Sequence, residues 1–107
     1  MKAGTVVTAE FQGVVSNKRR PAVVISSQIY HRERPDVILA VVTSQIGKSN
    51  SLTDYVLRNW QSAGLNKPSA VRIFLFTLPQ NKVTGIGKLT ENDWAEVRKR
   101  LQSSIEV

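Results

Sequence analysis

The sequence predicts a compact α+β fold of SH3-like type: a small, curved, mostly antiparallel sheet or open barrel with one C-terminal helix packed against it. Three observations lead there. Short apolar runs alternate with polar, turn-like stretches over most of the chain. Two of the runs, PAVVI at 21–25 and VILAVV at 37–42, are continuous and β-branched, as in strands covered on both faces. Near residue 90 the apolar period turns helical.

Taken in order, the runs predict strands at Thr5–Phe11, Ala22–Ser27, Asp36–Ser44, Tyr55–Trp60, Ala70–Thr77 and Lys82–Ile86. Gly13, Ser16, Asn17 and Pro21 punctuate the first connection, and His31 to Pro35 reads as a charged turn. GKSNSLT at 47–53 is a longer polar loop, and Gly64 and Pro68 mark a further turn. The last segment, TENDWAEVRKRLQSSI at 90–105, reads as a helix. Thr90 is a good N-cap and Asp93 completes a capping-box-like pair. Trp94, Val97, Leu101 and Ile105 fall on one apolar face. Trp60, Phe74 and Phe76 are expected in the core with Trp94.

The 107 residues make one domain, 1–107, and 41% hydrophobic residues suffice for a modest core. The net charge of +7 points to an anionic partner and is spread over separate clusters, as on a folded surface patch. Without cysteine there is no disulfide, thiolate metal site or cysteine nucleophile. The opening MKAGTVVTAEF is no signal peptide, since Glu10 interrupts a short apolar run, and no segment approaches the ~20 apolar residues of a membrane span. A soluble, cytoplasmic protein without membrane contact is expected.

A single histidine, His31, excludes a two-histidine acid/base nuclease within one chain and a His-rich zinc site; it is expected in an exposed loop. No nucleophile elbow or phosphate-binding glycine loop is present. Glu33 and Asp36 bracket a turn, but flanking arginines argue against a magnesium site, and no metal or cofactor is expected.

The positive signal is KRRPAVVIS at 18–26 followed by LAVVTSQ at 39–45. Arg20 ends a polar loop before one strand; Thr43 and Ser44 end the next. Cleaving RNA needs no outside nucleophile, because the 2′-hydroxyl attacks its own phosphate. The protein must orient that attack and stabilise the phosphorane oxygens. Arginine offers a permanently charged planar fork for those oxygens, and a threonine hydroxyl adds a donor. Taken singly, Arg20 reads more simply as a surface residue before Pro21, and Thr43 as an ordinary strand residue; their combination and order carry the signal. Lys18, Arg19 and Lys48 are candidate phosphate contacts, with a solvated surface as the alternative. Tyr30 and Gln45 are candidates for base recognition.

These motifs resemble the MazF/PemK family of toxin endoribonucleases. GTVV at 4–7, the Arg-Pro strand, VVTSQ, AGLNKPSAVR at 63–72 and IGKLTENDW at 86–94 follow in the family's order. The resemblance implies the SH3-like barrel shared with CcdB toxins. It also implies a homodimeric, metal-independent endoribonuclease that cuts single-stranded RNA to 2′,3′-cyclic phosphate and 5′-hydroxyl ends. The partner would be an acidic, MazE-like antitoxin. The family's catalytic arginine and threonine fall on Arg20 and Thr43, and Ser69 matches a position near its RNA groove. The first loop, FQGVVSNKR, departs from the longer acidic or Gln-containing loop of many members. A CcdB-like poison of a protein target, or an inactive RNA- or antitoxin-binding relative, is the alternative.

Overall fold

The computed structural model describes residues 1–12, 17–48 and 51–106, leaving aside the side chains of residues 11, 12, 17 and 18. Six strands form one sheet: β1 (Thr5–Gln12), β2 (Asn17–Val24), β3 (Asp36–Thr43), β4 (Tyr55–Val56), β5 (Ala70–Pro79) and β6 (Val83–Lys88). The order across the sheet is β4-β5-β3-β2-β1-β6, with every paired neighbour antiparallel. Two helices, α1 (Gln28–Glu33) and α2 (Glu91–Ser104), complete the fold.

The sheet is curled and staggered. β5 and β6 stand four places apart in it, roughly 19 Å if it were flat. One 3-10 turn, Gln80–Lys82, joins them, and so short a link reaches at most about 14 Å even fully extended. Only a sheet wrapped toward a barrel brings the end of β5 to the start of β6.

Both sheet faces are buried. On one, Val6, Val23, Ala40, Val42 and Val71 pack beneath Leu57, Ala63, Leu89 and Val97, with Trp60, Trp94 and Leu101 at the margin. On the other, Val7, Ala9, Ala22, Val24, Val37, Leu39 and Val83 meet Phe76 and Leu78. These last residues come only from strands, so the curl itself shields this second cluster.

Local chemistry explains where the elements differ from the sequence reading. β2 starts at Asn17, so the polar NKRR stretch is strand and not loop. Pairing with β1 from Val6 to Gln12 holds it there. The charged turn at 31–35 begins inside α1, because Ser27 caps that helix by accepting a hydrogen bond from the Tyr30 amide. His31 is accordingly half-buried, 2.5 Å from the Ser26 hydroxyl, and not in an exposed loop. β4 stops at Val56 because the Arg58 and Asn59 amides turn to donate to Asp93 of α2, at 3.2 and 3.0 Å.

Asp93 is fully buried and also accepts from the Tyr55 hydroxyl at 2.6 Å. Its own amide donates to Thr90 Oγ1, as the capping motif predicts. Ile105 does not complete the apolar stripe; it is the C-cap residue and is exposed. Phe74 also leaves the core. The β3–β5 register shifts between Ala40 and Val41, so Ile73 and Phe74 form a bulge and Phe74 is 66% exposed.

Gly64 marks the crossing of the 59–65 turn over β6. Its φ is +85°, and a Cβ there would collide with the Ile86 carbonyl. Gly64→Ala is expected to cost more than ~1 kcal/mol from the left-handed backbone alone, and more from the collision. Urea denaturation checks this; an unchanged midpoint would contradict it.

Candidate active site

Arg20 lies within β2, opposite Ala9 of β1. The β2–β3 ladder sets Val24 against Leu39, Val23 against Ala40 and Ala22 against Val41. It goes no further, and Pro21, which has no N–H to donate, stands just beyond its end. Carried on by two residues, the same register sets Arg20 opposite Thr43. Opposed residues share a face, so the guanidinium and the hydroxyl stand on one side of the sheet, past the edge of the second apolar cluster.

Arg20 is exposed, and its side chain makes no hydrogen bond or ion pair among the described residues. Thr43 is half-buried, and its Oγ1 accepts from the Gln45 amide at 3.1 Å. That bond orients the hydroxyl and leaves its proton to donate. An unpaired arginine beside an oriented hydroxyl donor suits the non-bridging oxygens of a phosphodiester.

A second arginine belongs here, and the sequence reading missed it. Arg72 of β5 lies opposite Val41, two residues on from Ala70, which lies opposite Thr43. Arg72 therefore shares the face of Thr43 as its diagonal neighbour. Its guanidinium donates to the Lys48 carbonyl at 3.3 Å, and its Nε stands 3.7 Å from the Asp54 carboxylate. That Nε is buried and makes no hydrogen bond. AGLNKPSAVR contained the residue; alternation counted forward from Ala70 would have placed it.

The other candidates distribute unevenly. Ser44, Gln45 and Lys48 are exposed just after β3, Lys48 closing a 3-10 turn, so they stay near Thr43 in the chain. Ser69 is 3% exposed and its hydroxyl donates to the Lys67 carbonyl, so it closes the turn before β5 and is no surface contact. Lys18 lies in β2 opposite Phe11, with its side chain outside the described residues. Loop residues 13–16 and 49–50 also lie outside them.

Arg19 alternates to the face opposite Arg20. There its guanidinium donates to Thr8 and Thr84. Tyr30 is remote: its hydroxyl donates to Asp36, at the far end of β3 and roughly 23 Å from Thr43 along the strand. That bond, followed by weaker help from Arg34, holds the Asp36 carboxyl below its ordinary range. No three His, Cys, Asp or Glu residues among those described stand close enough to share a metal ion. No helix among them is long and apolar enough to cross a membrane.

The fold is a small SH3-like barrel, and its rim carries a candidate cationic, hydroxyl-bearing site. The chain belongs to the PemK-like, MazF-like toxins of type II toxin–antitoxin systems, whose family model matches residues 2–105. Solved structures share the fold at low identity. An endoribonuclease from a mycobacterial species, in complex with its cognate antitoxin, superposes with a TM-score of 0.81 at 17% identity, over 97% of this chain and 93% of that one. A MazE–MazF structure from Deinococcus radiodurans gives 0.75 at 21% identity, over 96% and 94%. The Mycobacterium tuberculosis toxin MazF-mt6 gives 0.75 at 19% identity, over 92% and 93%. No curated protein sequence matches the chain significantly.

Proposed function

We propose that this protein is a metal-independent endoribonuclease, the toxin of its pair, cutting single-stranded RNA to 2′,3′-cyclic phosphate and 5′-hydroxyl ends. The observation that supports this reading is the β2–β3 register, which pairs Ala22 with Val41 and, carried on by two residues, sets Arg20 against Thr43. Arg20 grips the phosphorane oxygens through its fork, and the Thr43 hydroxyl donates a hydrogen bond to one of them. Arg72 adds positive charge from the neighbouring strand, and Lys48 extends the positive field along the strand's path. Ser44 and Gln45 are placed to meet the sugar or base beside the scissile phosphate. The RNA's own 2′-hydroxyl is the nucleophile: the P–O2′ bond forms as the P–O5′ bond breaks, the 2′ proton leaves to solvent and the departing 5′-oxygen takes one up from solvent, so no metal-bound water enters the reaction.

The partner inhibiting it is an acidic, MazE-like antitoxin in the cytoplasm. Complementarity with a chain of net charge +7 supports this, as do the antitoxins bound to the mycobacterial and Deinococcus relatives. The protein acts as a homodimer. β4 covers only Ala70 and Val71 of β5, so the rest of that edge has no strand neighbour among the described residues. Phe74 and Leu75 are exposed on that strand, an apolar stretch that a second copy would cover.

The test is incubation of purified protein with a long single-stranded RNA in EDTA, with fragment ends mapped. Discrete cuts bearing cyclic phosphate are expected, at a rate unchanged by added magnesium. A magnesium requirement would replace this mechanism with a carboxylate–metal one. Thr43→Ala is expected to slow cleavage at least ~10-fold by removing one oriented donor, and Thr43→Ser to restore most of the rate. Equal rates for the alanine and serine variants would remove Thr43 from the mechanism.

A further inference from the structure

A cavity of about 560 Å³ lies where the end of β5 meets the start of β6, and neither Arg20 nor Thr43 lines it. Leu78 and Pro79 form its apolar wall, and Glu10, Arg19, Asn81 and Lys82 bring polar groups to it. Its size is ordinary for a small-ligand site.

Two features set it apart from a chance dent. The first is a built cation. Arg19 Nη2 donates to the Thr8 carbonyl at 3.0 Å and to Thr84 Oγ1 at 2.9 Å, and Nε donates to Thr8 Oγ1 at 3.3 Å. One edge of the guanidinium is thus fixed, while Nη1 has no partner among the described residues. Holding a free arginine still costs side-chain entropy, and here the threonines fix the side chain before any ligand arrives.

The second feature is an unspent polar set. Glu10 is the residue opposite Arg19 across the β1–β2 ladder, yet the two form no ion pair. The Asn81 amide and the Lys82 ammonium also make no hydrogen bond among the described residues. A carboxylate and an amide beside a flat apolar wall match the edge and face of a nucleobase, and the two cations match its phosphate.

We infer that this cavity is a nucleotide subsite, taking one base of the RNA strand whose phosphate lies at Arg20. This rests on the RNA-cleaving reading of the rim. Arg19 and Arg20 are consecutive on β2 and point to opposite faces, so a strand crossing the rim meets both. The base ring packs on Leu78 and Pro79. Its N–H groups donate to Glu10, and Asn81 reads the adjoining edge. Because the carboxylate only accepts, the cavity favours bases with neighbouring N–H donors.

Two measurements test the inference. In ¹H–¹⁵N correlation spectra of the whole protein, ribonucleoside 5′-monophosphates are expected to shift the amides of Glu10, Asn81 and Thr84. Asn81→Ala is expected to weaken that binding about 5-fold, as the loss of one hydrogen bond would. Absence of these shifts, or equal shifts and affinity with inorganic phosphate, would overturn it. In the second, cleavage of a randomised RNA by the wild type and Asn81→Ala is sequenced. Expected is loss of base preference at one position near the cut. An unchanged profile with cleavage intact would overturn the subsite. If the wild type cleaves no RNA, it is the nuclease reading that fails, and the spectra still decide whether the cavity takes a nucleotide.

Discussion

Arg20→Ala is expected to lose cleavage by about 10²–10³-fold, the usual cost of removing one donor aimed at transition-state charge. The fold should not notice. Arg20 is exposed, and its side chain has no hydrogen-bond or ion-pair partner among the described residues, so its removal leaves no buried group unpaired. Circular dichroism and the denaturation midpoint should match the wild type, and RNA binding should weaken only modestly. Arg20→Lys keeps the charge and loses the planar fork, so an intermediate rate is expected. A folded Arg20→Ala protein with full activity would end the proposed mechanism. An unfolded one would refute the placement of Arg20 as a free rim residue.

The second large effect concerns stability. Asp93→Ala is expected to destabilise the fold by about 3 kcal/mol or more, because it strands three donors aimed at a buried carboxylate. Those donors are the Tyr55 hydroxyl and the Arg58 and Asn59 amides, so one side chain ties α2 to the segment that ends β4. Tyr55→Phe removes only one of the bonds and is expected to cost about 1.5 kcal/mol.

The same pair gives a pH signature. Burial, followed by the bond to Asp93, raises the Tyr55 hydroxyl from its ordinary 10.0 to about 12 in the folded protein. A group raised on folding stabilises fully below its unfolded value and loses that contribution as pH climbs through the folded one. Stability is therefore expected to fall between about pH 10 and pH 12, and the fall should be smaller in Tyr55→Phe. Urea midpoints across that range check the sign; identical slopes for both proteins would exclude Tyr55 as the cause.

Much of the architecture was legible in the sequence because it is local. Apolar runs with β-branched residues marked the strands, and Thr90 with Asp93 marked the start of α2 at the residue where it begins. What was misread depended on distant partners. The NKRR stretch looked like loop because its residues are polar, yet the β1 backbone holds it as strand whatever its side chains are. The Tyr55–Trp60 run looked like one strand, but Asp93, far along the chain, draws the Arg58 and Asn59 amides away. Phe74 looked like core because nothing local shows a bulge.

The site divides in the same way. Family resemblance and residue chemistry singled out Arg20 and Thr43, and the sequence alone determined that a basic, cysteine-free barrel would carry them. Tertiary structure decided which groups share their face. It brought in Arg72 by the β3–β5 register, buried Ser69, placed Tyr30 at the far end of β3 and turned Arg19 to another surface. The physical reason is that side chains alternate along a strand with a period of two, so the face a residue joins is set by cross-strand register. Register is a relation between distant segments, and it exists only once the sheet has closed.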